Sequence, residues 1–119
     1  VSIRRVVPDI TSERFDESRD FYVGVLGFEV AMDTDWIVTF ASPANPTAQV
    51  SIMKRDATAP IDPDLSVEVA DVDCVHARAS RRGDEIVYPL TDEPWGVRRF
   101  FVKDPNGLVI NVLSHLGDD

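Results

Sequence analysis

Residues whose types could do chemistry are sparse in this chain of 119. Asp64, Ser66 and Glu68 alternate with Leu65, Val67 and Val69, so on an extended strand the two carboxylates share one face and the apolar groups the other. Such a pair suits a weak cation site or an anchor for a positively charged ligand. Trp36 and Trp95 offer flat, rigid indole faces, worth roughly 1 to 2 kcal/mol beyond area when a cation stacks on them out of water. The two histidines stand apart from these. His76 falls in a helical segment, where a ring partly buried beside a sheet is expected, and His115 falls near the chain end, beyond the last expected strand and exposed. Cys74 is the single cysteine; with no second one it forms neither an intrachain disulfide nor a cysteine-paired zinc site, and a buried structural thiol is expected.

The elements that must position these groups follow from periodicity. Ser2 to Val7 reads as a first strand ended by Pro8. Phe15, Arg19, Tyr22 and Leu26 then recur at near-helical spacing over Phe15 to Leu26, with Gly27 as a left-handed stop. Phe28, Val30 and Met32 alternate with Glu29 and Ala31, Trp36, Val38 and Phe40 with Ile37 and Thr39, and Val50 and Ile52 with Ser51 and Met53. Lys54 to Pro63, rich in Pro and Asp, reads as a connection. Beyond it, Leu65 to Val69 predicts a strand and Asp71 caps a helix carrying Val72, Val75, His76 and Ala79 on one face. Gly83 ends that helix, and Glu85 to Tyr88, Arg98 to Val102 and Leu108 to Leu113 supply three more strands.

The second half therefore repeats the order of the first. Trp36 to Phe40, the turn Ser42 to Pro46 and Gln49 to Met53 correspond to Arg99 to Val102, the turn Asp104-Pro105-Asn106-Gly107 and Val109 to Leu113. The expected fold class is α+β, one domain over residues 1–119 with two tandem βαβββ modules, about 1–55 and about 64–115. Two copies at a period of about sixty residues suit a paired domain rather than a solenoid.

Composition bounds what such a domain does. With 44% hydrophobic residues the chain can bury a core without metal or disulfide support. Its net charge of −9 opposes phosphate backbones and anionic surfaces, so neither nucleic acid nor a membrane is an expected partner. No apolar run reaches a membrane span and no signal-peptide core precedes Pro8, so a cytoplasmic location is expected.

Three segments together resemble one known family: Asp20-Phe-Tyr-Val-Gly-Val-Leu-Gly-Phe28, Val69-Ala-Asp-Val-Asp73, and Pro94-Trp-Gly96 followed by Asp104-Pro-Asn-Gly107. In this order the chain, over essentially its whole length, resembles the vicinal oxygen chelate superfamily, which includes glyoxalases, bleomycin resistance proteins and dioxygenases. The resemblance implies a curved mixed sheet around a concave groove, helices on its outer face, and a homodimer. It also implies metal ligands on the first, fourth, fifth and eighth strands. The matching positions are Arg5, Ser51, Asp64 and Asn111, each on the face opposite the apolar one. That set is a poor metal site, because a divalent ion needs several anionic or imidazole donors and an arginine offers only positive charge.

Glu93-Pro-Trp-Gly96 with Arg98-Arg-Phe100 resembles the metal-free bleomycin-resistance branch, in which the tryptophan stacks on the ligand. The implied function is sequestration of an antibiotic-like small molecule, cationic or planar, with no cofactor and no catalytic residue assigned. Expected ligand-binding residues are Trp95, Trp36, Met53, Glu68, Arg99, Phe101 and Asn111. Two alternatives stay open. One is a lyase, isomerase or dioxygenase using one divalent metal ion. The other is a metal-free enzyme or carrier for a hydrophobic metabolite.

Overall fold

The computed structural model describes residues 2–117. The chain is α+β, with two βαβββ-like modules, eight strands in a mixed sheet and two helices. The elements are β1 (Ile3–Thr11), α1 (Phe15–Gly24), β2 (Glu29–Asp33), β3 (Ile37–Ala41), β4 (Gln49–Met53), β5 (Leu65–Val69), α2 (Val72–Arg82), β6 (Ile86–Asp92), β7 (Val97–Lys103) and β8 (Val109–His115). The strand order is β2-β3-β4-β1-β5-β8-β7-β6. Two compact units divide the chain: residues 6–62 form one, and residues 1–5 with 63–119 form the other. The division falls inside β1, so the strand that opens the chain serves the later residues with its first segment and the earlier ones with its second.

In the 6–62 unit, β2, β3 and β4 run antiparallel in turn and β4 pairs parallel to β1 through Asp9↔Ser51, Ile10↔Ile52 and Thr11↔Met53. Alternation puts Val38, Phe40, Val50 and Ile52 on one face, where Phe15, Tyr22 and Phe28 pack against them. Tyr22 stacks on Phe40 at 5.2 Å between ring centroids. The helix α1 ends at Gly24, short of the expected Leu26, which lies exposed. Gly27 does adopt a left-handed φ of 79°, two residues past the cap at Val25, while the amides of Val25 and Leu26 both close on the Phe21 carbonyl. Strand β1 also departs from expectation, running through Pro8 to Thr11. Pro8 precedes the run that pairs with Ser51 to Met53, a place where a strand tolerates a missing N–H.

In the other unit, β5 and β8 pair parallel, Leu65↔Ile110 through Glu68↔Leu113, and β7 pairs antiparallel with both β8 and β6. The core joins Val69, Val72, Ala79, Phe100 and Val112, with Val67, Val75, Ile86, Leu90, Val102 and Ile110 packed on it. Helix α2 supplies three of these at helical spacing and lies on that face. The Asp71 carboxylate accepts from the Cys74 amide as N-cap, and Gly83 caps the other end at φ 81°. His76 sets its ring edge against Phe100 at 4.9 Å, half-buried as anticipated. Cys74 corrects expectation: it is exposed, because it lies between the apolar positions Val72 and Val75, out of phase with them on the helix.

Strands β6 and β8 are longer than the apolar runs that announced them. Strand β6 continues past Pro89, which an edge strand with register irregularities accommodates. Strand β8 extends to His115, so this histidine is not beyond the last strand but in it, paired with Val97.

Candidate functional site

The chemistry-bearing residues of the unit formed by 1–5 and 63–117 gather on the sheet face opposite α2. Phe100, Val102, Ile110 and Val112 belong to the helix-side core. Their neighbours Val97, Arg99 and Phe101 on β7, Asn111, Leu113 and His115 on β8, and Ser66 and Glu68 on β5 therefore share the other side in register. A slip of one residue would have exchanged the two sets.

At one edge of this face lies a buried ion pair. The Glu93 Oε2 accepts from both Nε and Nη2 of Arg99 at 2.6 Å, and from the Tyr88 hydroxyl at 3.2 Å. The two side chains are only 4% and 5% exposed. Three aromatic rings surround the guanidinium, with centroids 5.3 Å (Tyr88), 5.0 Å (Trp95) and 4.8 Å (Phe101) from its carbon. A delocalised, weakly hydrated cation suits such surroundings where an ammonium would not.

The local sequence explains the arrangement. Glu93-Pro94-Trp95-Gly96 is a tight turn closed by Gly96 N–H donating to the Glu93 carbonyl at 3.1 Å, with proline at its second position. Gly96 takes φ 89°, which a side chain would disfavour. Trp95 thus sits at the turn's outer corner, 43% exposed, with Arg99 against its ring. A second bond, Leu116 N–H to the Gly96 carbonyl at 2.8 Å, ties this turn to the end of β8.

At that same end, Glu68 bridges Arg5 and His115. Its Oε1 accepts from Arg5 Nε at 2.6 Å and its Oε2 meets His115 Nδ1 at 2.8 Å. Burial pushes the Glu68 carboxyl up, but the hydrogen bonds and charge of His115 and Arg5 outweigh it and hold the group below the usual value. An ionised carboxylate only accepts, so Nδ1 carries a proton in this contact.

Further along β8, Asn111 donates through Nδ2 to the Ser66 hydroxyl at 3.0 Å, while its Oδ1, in a residue 8% exposed, has no hydrogen-bond partner. Buried acceptors are seldom left so. Asp64 is engaged by the backbone: its Oδ2 accepts from Val109 N–H at 2.8 Å.

The remaining expected residues lie in the 6–62 unit. Ser51 is buried and shares a 2.8 Å hydrogen bond with Thr39 Oγ1 across the β3–β4 ladder, and Met53 is buried at the end of β4. Trp36 lies half-buried just before β3, where its carbonyl accepts from Lys54 N–H at 2.8 Å. The structure thus brings Trp95, Arg99 and Phe101 together in one cluster and joins Glu68 to Arg5. Phe101 is 0% exposed and supports Arg99 rather than presenting surface.

Two residues named in the sequence were not expected in the site: Glu93, which entered only within its turn motif, and His115, expected only as an exposed residue near the chain end. A buried glutamate next to a proline turn carries no periodic signal, and His115 was hidden by the unexpected length of β8. The pairing of Glu93 with Arg99, six apart across a hairpin, was the available clue.

The donors at the positions matching metal ligands do not suit a divalent ion. Arg5 is ion-paired to Glu68, Ser51 is bonded to Thr39, Asp64 is spent on an amide, and Asn111 contributes at most a neutral carbonyl. Among the described residues, no three His, Cys, Asp or Glu side chains are grouped to hold a metal. No helix among them is long and apolar enough to cross a membrane.

Residues 3–112 match the family model described as the Glyoxalase/Bleomycin resistance protein/Dioxygenase superfamily. Among solved structures, the chain is similar to a superfamily member from Vibrio splendidus 12B01 (22% identity, TM-score 0.70, covering 95% of this chain and 99% of that one). It is also similar to a hypothetical protein from Bacillus halodurans C-125 (11%, 0.78, 100% and 99%) and to methylmalonyl-CoA epimerase from Mycobacterium tuberculosis (19%, 0.70, 96% and 87%). At these identities the likeness is one of fold. No curated protein matches the chain.

Proposed function

The chain belongs to the Glyoxalase/Bleomycin resistance protein/Dioxygenase superfamily, and from that premise we propose that it is a metal-free small-molecule binding protein that sequesters a planar, antibiotic-like ligand. The observation that carries this reading is Trp95: an exposed indole held at the corner of a tight turn and backed by the buried Arg99–Glu93 pair. A stacking platform must be rigid before the ligand arrives, or ordering it consumes binding energy. Here the ion pair, the turn and the tie to β8 supply that rigidity.

The donor chemistry favours binding without metal over a metal-dependent lyase, isomerase or dioxygenase, although superfamily relatives of similar fold include an epimerase. It also favours planarity over positive charge. Glu68 and Glu93, the carboxylates nearest the platform, already face Arg5, His115 and Arg99. A homodimer belongs to this reading, with sedimentation equilibrium as its check.

The experiment is a titration with planar aromatic antibiotics, bleomycin included, followed by tryptophan fluorescence with and without chelator and by recovery of the ligand. Saturable, chelator-insensitive quenching with the ligand returned unchanged supports sequestration. Quenching that needs added metal, or a chemically altered ligand, refutes it.

A further inference from the structure

We infer that Arg99 is a specificity-determining residue: its guanidinium fills, from inside the protein, the aromatic cage to which Trp95 belongs, so the platform accepts an uncharged aromatic ring and rejects a cationic one of the same shape. This deepens the binding reading above and rests on it. Tyr88, Trp95 and Phe101 set their ring centroids 5.3, 5.0 and 4.8 Å from the guanidinium carbon. Several rings around one positive charge is the arrangement that recognises a cationic ligand, because each ring face is the negative pole of a quadrupole. Here the chain supplies the cation itself, on a side chain only 4% exposed. Glu93 holds it in place, with Oε2 accepting from both Nε and Nη2 at 2.6 Å.

The consequence falls on Trp95. Of the three rings it alone presents much surface, 43% exposed against 9% for Tyr88 and 0% for Phe101. A guanidinium on one side of an indole draws the π electrons toward that side. A second cation stacked on the outward side gains less from the ring and meets the repulsion of the first through it. An uncharged ring loses nothing by this, because its stacking rests on area and dispersion. Glu93 cancels the charge of Arg99 at a distance, so the selection acts only on a ring in contact with the indole. The net charge of −9 draws cations toward the surface over long range, and contact then decides.

The test compares two probes of one shape, 1-methylnaphthalene and 1-methylquinolinium, by equilibrium dialysis against the full chain at about 0.5 M salt, where the long-range attraction is screened. Apolar surface of any kind favours the uncharged probe, so the ratio of the two affinities is compared between proteins. Replacing both members of the pair, Arg99→Met with Glu93→Gln, leaves no buried ion unpaired and takes the charge out of the cage. That variant should shift the ratio about tenfold toward the cationic probe. A purely structural role for Arg99 would weaken both probes together and leave the ratio where it was, which overturns the proposal.

Where the double variant does not fold, the unmodified chain decides with tetramethylammonium as competitor. A cage already filled predicts no displacement of bound 1-methylnaphthalene, and competitive displacement overturns the selection. Trp95→Ala should weaken binding of the uncharged probe; unaltered binding places the probe elsewhere and likewise overturns it. The two readings fail separately. An unchanged ratio with antibiotic quenching intact defeats the selection alone, whereas loss of that quenching defeats the platform as well.

Discussion

Arg99 and Glu93 meet through a single carboxylate oxygen, Oε2, which accepts both Nε and Nη2 at 2.6 Å while the Tyr88 hydroxyl approaches it at 3.2 Å. One acceptor atom thereby organises a cation, a phenol and, through the guanidinium, the Trp95 indole.

Removing either partner of this pair leaves the other charge buried without compensation. Glu93→Gln or Arg99→Leu should cost about 3–5 kcal/mol of stability. Urea unfolding of the variants measures it, and a loss below about 1 kcal/mol, the level of exposed pairs, would show the pair to be solvated.

Glu68 ties stability to acid. Its folded pKa lies below the ordinary value of 4.5, so its contribution is present above that value and disappears as the pH falls through the lower folded one. Glu68→Gln should therefore be less stable than the unmodified protein near neutrality and converge with it in acid. Thermal melts across that range decide; parallel curves at every pH would contradict the arrangement.

Trp95→Ala should reduce affinity for a stacked ligand at least about tenfold, near 1.4 kcal/mol, with far-UV circular dichroism unchanged. Trp36→Ala should have a smaller effect on the same ligand, since Trp36 lies in the other unit and is half-buried. Unaltered affinity in Trp95→Ala would make the indole a packing residue.

Cys74 should react with a maleimide in the folded protein at a rate close to that of a small free thiol, because it is exposed on α2. Reaction only after denaturation would place it inside.

Gly83→Ala tests the cap of α2. Nothing lies within 4 Å of an added Cβ, so the cost is that of the left-handed backbone alone, about 1–2 kcal/mol in chemical denaturation. Gly83→Asn should lose less, since asparagine tolerates that conformation.

Alternation made much of this legible beforehand. Leu65, Val67 and Val69 against Ser66 and Glu68, and Ile110 and Val112 against Asn111, gave the correct faces because a strand's side chains alternate strictly once one face is buried. The Asp71 cap and the Gly83 stop were equally plain, as both are local chemistry. What stayed hidden depends on register between distant strands. Arg5 and Glu68 are 63 positions apart, and Glu68 and His115 are 47 apart. No local pattern says that these side chains meet. Pro8 and Pro89 misled for a related reason: each removes one N–H, but whether the ladder needed it depends on the neighbouring strand.

The division of β1 between the two units means that the duplication written in the sequence cannot be undone with one cut. Residues 63–117 taken alone would lack the Ser2 carbonyl that accepts the Ala70 amide at 2.9 Å, and would lack Arg5. Glu68 would face His115 without the Arg5 guanidinium. Half-length ancestors, or half-length fragments made in the laboratory, therefore need either their own substitute for this segment or a loan of it from another chain.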